Sequence, residues 1–161
     1  MSKMEEFKEL VEFAGAISAV LGIVRPNIEH DENDSSAMSC YIPEEDKVRL
    51  QEDLGSKEAY FTLVHELRHK WQLENQFEQY FLNYKEIEEI DDDAYSMQKA
   101  EIDANAFAMI MMYQFYEDIP LFEDREEYKR KAIFERAQVL TDEYKIDFPW
   151  SAFFEFMGCK L

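Results

Sequence analysis

Five consecutive residues, His65-Glu66-Leu67-Arg68-His69, carry the side chains with the clearest chemical use in this chain. Residues four apart on an α-helix are offset by about 40° around the axis, so His65 and His69 leave the same face one turn apart. Two imidazoles placed in this way can hold one zinc ion, and the carboxylate of Glu66 can reach a water on that ion and serve as its general base. Two of the chain's three histidines fall in this pentapeptide. Three fixed residues at such spacing arise by chance in on the order of 1% of chains of this length.

A catalytic zinc site needs a third protein ligand and an open position for water. The remaining histidine, His30, opens the polar stretch His30-Asp31-Glu32-Asn33-Asp34-Ser35-Ser36 and is the weaker candidate. That stretch is acidic, but it lacks the glycine and the distal glutamate of a regular calcium loop and reads as a plain loop. A third histidine six residues after the motif, with a glycine three residues after it, would extend it in the metzincin manner. Those positions hold Asn75 and Gln72. An acid from a later helix is then required, and Ala100 to Ala108 offers Glu101 and Asp103. The two differ by about 200° around a helix, so only one can face a metal. The Glu101 face collects Ala94, Met97, Ala104, Asn105, Ala108 and Met112, small or apolar residues that allow close approach. Asp103 shares its face with Ser96, Lys99 and Gln114, and Lys99 with Asp103 forms an i,i+4 pair suited to solvent. Glu101 is therefore the expected ligand. Asn105, one turn beyond it, can accept the second ring N–H of His65 or His69 and fix the tautomer that binds metal.

His65-Glu66-Leu67-Arg68-His69, followed by Glu101-Ile102-Asp103-Ala104-Asn105-Ala106-Phe107-Ala108, resembles the gluzincin metallopeptidases. It is most similar to the ImmA/IrrE family, whose pattern is His-Glu-Leu-x-His and then Glu-x-Glu-Ala-Asn/Asp-x-Phe-Ala. The resemblance covers roughly residues 37 to 112. It implies a minimal zincin-like fold, with His65, His69 and Glu101 as zinc ligands and Glu66 as general base. Members are zinc-dependent endopeptidases, often coded beside a phage-type repressor that they cleave or inactivate. Here Asp103 stands in place of the second Glu and Arg68 in place of a small residue. Met109-Ile110-Met111-Met112 replaces Leu-Leu-Met-Pro, and no helix-turn-helix segment accompanies the domain.

The expected reaction is hydrolysis of a peptide bond in a protein or peptide substrate, with Zn2+ as cofactor and Glu66 moving the proton. The segment Lys47 to Gln51 can serve as a sheet edge that pairs with an extended peptide. Tyr113, Tyr116, Tyr128, Tyr144 and His30 are all candidates to stabilise the oxyanion, and the residues do not choose among them.

The elements that must position these groups follow from patterning. Glu5 to Leu21 has a helical apolar period, closed by Gly22 and Arg25-Pro26. Ala37 to Ile42 and Lys47 to Gln51, joined by Pro43-Glu44-Glu45-Asp46, read as a hairpin, and Pro26 to Glu29 as a further strand. The motif helix should start behind Ser56 and run from Lys57 to Gln79. An acidic connector, Leu82 to Asp93, precedes a long helix from Ala94 to Tyr116, and another helix spans Glu123 to Glu143. The aromatic tail, Ile146 to Phe156, should pack back on the domain. The fold class is thus α+β, mostly helical, with a small antiparallel sheet of roughly two to four strands before the motif helix. Residues 1–161 are read as one domain.

A formal net charge of −19 disfavours direct binding to nucleic acid or to an anionic membrane. The longest uncharged apolar run, Phe13 to Val24, is shorter than the roughly 18 residues a bilayer span requires. Cys40 and Cys159 lie far apart and out of metal-ligand spacing, as expected of reduced thiols in a cytoplasmic protein. The acidic start of the chain does not open a signal peptide. A different class also fits the composition: a non-enzymatic, acidic interaction or inhibitor protein, phage-related or not, that keeps a zincin fold. The intact Glu66 favours the enzyme, because a structural zinc site needs no general base.

Overall fold

In the computed structural model, which describes residues 1–31 and 38–158, Ser2 starts the first helix, α1 (Lys3–Leu21). Its hydroxyl accepts from the Glu5 N–H while the Glu5 carboxylate accepts from the Ser2 N–H, a reciprocal capping box. Gly22 ends the helix in the left-handed conformation, φ 68°, which costs a residue without Cβ little. Leu10, Phe13, Ala14, Ile17 and Leu21 form the buried stripe expected from the period.

Three short strands follow: β1 (Asn27–His30), β2 (Cys40–Ile42) and β3 (Lys47–Leu50). The hairpin joins β2 and β3 through a 3-10 turn at Pro43–Glu45. The sheet order is β1-β3-β2, and this corrects two expectations. The sheet is mixed, because β1 pairs with β3 in parallel while β2 pairs with it antiparallel. And β3 is central, not an edge. The hairpin occupies one side of β3, so β1 takes the other, and the crossover between them contains β2 itself. His30 ends β1 rather than opening a loop, and its Nε2 donates to the Glu52 carbonyl at 2.7 Å. From Glu32 on, the acidic stretch weighed for calcium lies outside the described residues, as do Ala37 and Cys159.

Ser56 caps α2 (Lys57–Asn75) by accepting from the Ala59 N–H at 3.1 Å. The helix stops before Gln79. Gln76 leaves the helical region at φ −141°, and a single turn, α3 (Phe77–Tyr80), carries the chain onward. Val48 and Leu50 are fully buried, and β2, β3 and α1 all pack on α2. These elements belong to one compact unit of the chain, Met1–Tyr84; Lys85–Leu161 forms a second.

In the second unit the helix expected from Ala94 is broken in two, α4 (Asp92–Ser96) and α5 (Lys99–Tyr116). Gln98 makes the break. Its side chain accepts from the Lys85 N–H at 2.7 Å and donates to the Lys85 carbonyl at 2.9 Å, clipping the acidic connector to the start of α5. α6 (Glu127–Tyr144) packs on α5. The aromatic tail forms α7 (Trp150–Gly158) and folds back on α6: Phe153 meets Phe134, and the Trp150 indole donates to Thr141 Oγ1. Among the described residues no helix is long and apolar enough to cross a membrane. The fold is α+β and mostly helical, as the patterning implied.

Asp103 does not face solvent. It is 1% exposed and accepts from Arg136 Nε of α6 at 2.8 Å. Removing one partner of a buried ion pair leaves the other charge uncompensated. Arg136→Met should therefore lower unfolding free energy by about 3 kcal/mol, read as a lower urea midpoint at unchanged slope. An unchanged midpoint would mean that Asp103 is held without Arg136.

Candidate metal centre

α2 places His65 and His69 one turn apart, with ring centroids 4.6 Å apart and planes at 87°. His65 is half-buried and His69 is buried. The Nδ1–H of His69 donates to Gln72 Oε1 at 2.8 Å. With that hydrogen on Nδ1, Nε2 carries the lone pair, the form of imidazole that can act as a metal ligand. Gln72 is itself fully buried. Gln72 is not among the residues expected at the site, although its i+3 spacing from His69 is a contact distance on any helix. Around the pair stand aromatic rings: Phe81 lies edge-on to His69 at 5.9 Å and Phe61 is 6.5 Å from His65.

Glu66 is buried beside the two histidines, and its Oε2 accepts from the Tyr41 N–H of β2 at 3.0 Å. Cys40 precedes Tyr41 on that strand. Burial pushes its thiol above the ordinary range, and the nearby Arg49 guanidinium only partly offsets this. Cys40 therefore stays a neutral thiol at physiological pH.

On α5, Glu101 and Asn105 are both buried, at 6% and 3% exposure, one turn apart. Glu101 lies in the first turn of that helix, directly after the Gln98 break. His65, His69 and Glu101 each offer one ligand atom, and these atoms lie within 4.8 Å of one another. Two imidazoles and a carboxylate at such spacing can hold a metal ion, and a buried carboxylate needs a cation or donors in return. Asp103, the other acid of α5, is paired with Arg136 of α6.

The candidates for an oxyanion partner have their own contacts. Tyr144 packs on Phe107, Tyr113 stacks edge-on to Phe148, and Tyr116 and Tyr128 are about half exposed. With β3 central, an extended peptide can pair with this sheet only along β1 or β2.

The sequence profile of a family described as "Putative metallopeptidase family (DUF6782)" matches residues 2–118, well over half of the chain. The chain matches no curated protein and no solved structure.

Outer partners that fix a ligand's tautomer typically change metal affinity by about 10- to 100-fold. Gln72→Ala should weaken metal binding by that amount, measured by competition with a chromogenic chelator. Unchanged affinity would show that Gln72 does not orient His69.

Proposed function

We propose that this chain, which belongs to that metallopeptidase family, is a zinc-dependent peptidase of the gluzincin type, like the ImmA/IrrE enzymes. It hydrolyses peptide bonds in a protein or peptide substrate. The observation that carries the reading is the meeting of the His65, His69 and Glu101 ligand atoms within 4.8 Å, with Glu66 adjacent to His65 on α2.

His65, His69 and Glu101 would hold the ion, and the donor set fits: two neutral imidazoles and one carboxylate is a common catalytic zinc set. A bound zinc ion supplies Lewis acidity, bringing the pKa of water toward neutrality and polarising the scissile carbonyl. Glu66 takes the proton of the attacking water and then delivers it to the leaving amine. Gln72 holds the His69 tautomer, and Asn105 is assigned the same duty toward His65. Phe61 and Phe81 limit water around the imidazoles, which strengthens the electrostatics of the site. The absence of a membrane-spanning helix among the described residues and the free thiol of Cys40 accord with a cytoplasmic place of action.

Metal analysis and peptide hydrolysis test the reading together. Protein purified without added metal should contain zinc, and chelation should abolish hydrolysis until zinc is returned. Glu66→Gln should keep the metal and lose about 100-fold or more in turnover, the usual size of a general-base contribution. Full activity in that variant would exclude Glu66 as the base. His65→Ala should lose the metal; undiminished metal binding would put the site elsewhere.

A further inference from the structure

α2 carries a second pair at i,i+4 beside the two histidines: Glu66 and Lys70, one turn apart on one face. Both grip the same residue of the sheet. Glu66 Oε2 takes the backbone N–H of Tyr41 at 3.0 Å. At the other end of Tyr41, its hydroxyl donates to Asp46 Oδ1 at 2.9 Å, and Lys70 Nζ donates to that same oxygen at 2.7 Å. The contacts close a ring: Glu66, the Tyr41 backbone, the Tyr41 side chain, Asp46, Lys70, and back along one turn of α2.

The ring is costly to open. Lys70 is 2% exposed, and its other acidic neighbour, Glu74, is farther away at 3.4 Å. A buried ammonium without a close carboxylate is strongly disfavoured. Asp46 sits in the left-handed region, φ 46°, where aspartate and asparagine are tolerated better than most residues. Its backbone is tied as well, with its N–H on the Pro43 carbonyl and its carbonyl accepting from the Asn27 N–H. Burial works to raise the Asp46 carboxyl, but the hydrogen bonds from Lys70 and Tyr41 outweigh it and hold the group below its ordinary value. Asp46 is therefore ionised when Lys70 needs it.

β2 is three residues long and lies at the sheet edge, so pairing with β3 alone gives it little rigidity. We propose that Lys70, Asp46 and Tyr41 are positioning residues for Glu66. By fixing Tyr41 at both ends they hold its N–H against Oε2, so the carboxylate keeps one orientation. This rests on Glu66 being the general base. The ring also accounts for two features that metal binding does not require: a buried lysine directly after the second histidine, and an aspartate in a left-handed turn.

The full-length protein tests this with four variants and three measurements: steady-state kinetics, zinc content and amide exchange. Tyr41→Phe removes only the hydroxyl, and Asp46→Gly removes the carboxylate while keeping the backbone conformation accessible. Both should lower kcat by about 10- to 100-fold, the scale of loss from a misplaced catalytic group. KM and bound zinc should stay at wild-type values. Asp46→Asn, which retains an acceptor for the Tyr41 hydroxyl and suits the left-handed region but leaves Lys70 without its carboxylate, should recover part of kcat relative to Asp46→Gly. Amide hydrogen exchange at Tyr41, followed by NMR, reads the ring without any turnover. The amide should exchange slowly in the wild type and fast in Glu66→Ala and Asp46→Gly. Wild-type kcat in both Tyr41→Phe and Asp46→Gly would overturn the proposal. So would a Tyr41 amide that is equally protected in Glu66→Ala. Losses confined to KM or zinc content would overturn it too, since they would show a merely structural role. If the wild type hydrolyses no peptide while holding zinc, the peptidase reading fails, and the exchange data separately decide whether the ring holds Glu66.

Discussion

A buried polar group must have a partner, and α2 buries an unusual run of them. Glu66, Arg68, His69, Lys70 and Gln72 are all buried within a stretch of seven residues. Two of these demands are met within the helix and two by the hairpin. Arg68 lies over the Trp71 ring at 3.9 Å, His69 is held by Gln72, Lys70 by the hairpin turn, and Glu66 by the backbone of β2. The helix cannot rotate about its axis without unpairing Glu66 and Lys70 together, since their partners belong to the hairpin. That constraint orients the histidines and the carboxylate before any ligand arrives, which is the condition for effective electrostatic catalysis.

The same demand explains why the strands matter to a mostly helical protein. A three-stranded sheet of three- and four-residue strands adds modest core area. Its contribution is to present an amide and an aspartate to α2 at fixed positions. Family membership and the motif both direct attention to the histidines. The hairpin holds the neighbouring face of α2, through Glu66 and Lys70.

Much of this was legible in the residues, and what was missed has common causes. Local signals did well: Ser56 starts α2, Gly22 ends α1, and the hairpin turn falls between Ile42 and Lys47. Among the described residues, His65, His69 and Glu101 form a group that could hold a metal ion. Pairing beyond neighbours was not legible, because alternation says that a strand exists and not which strand lies beside it. So β3 was read as an edge and the sheet as antiparallel. Helical angle separated Glu101 from Asp103, but angle cannot tell which faces a third element will cover. Arg136, on another helix, turned the supposed solvent face into a buried ion pair. The orienting role sought on α5 is met for His69 by Gln72, its own neighbour one turn on, which needs no tertiary contact at all.

The interruption at Gln98 has an electrostatic consequence for Glu101. A continuous helix from Ala94 would have carried Glu101 in its third turn, where backbone dipoles largely cancel. Because the chain restarts at Lys99, Glu101 occupies the first turn, beside amide groups that have no carbonyl partner within the helix. A negative charge there is favoured by about 0.3–1 kcal/mol, and by more where water is excluded. A side-chain clip on a surface loop thus determines whether the acid feels the positive end of the dipole at all. The anionic form, the one able to bind a cation, is favoured by the backbone of its own helix.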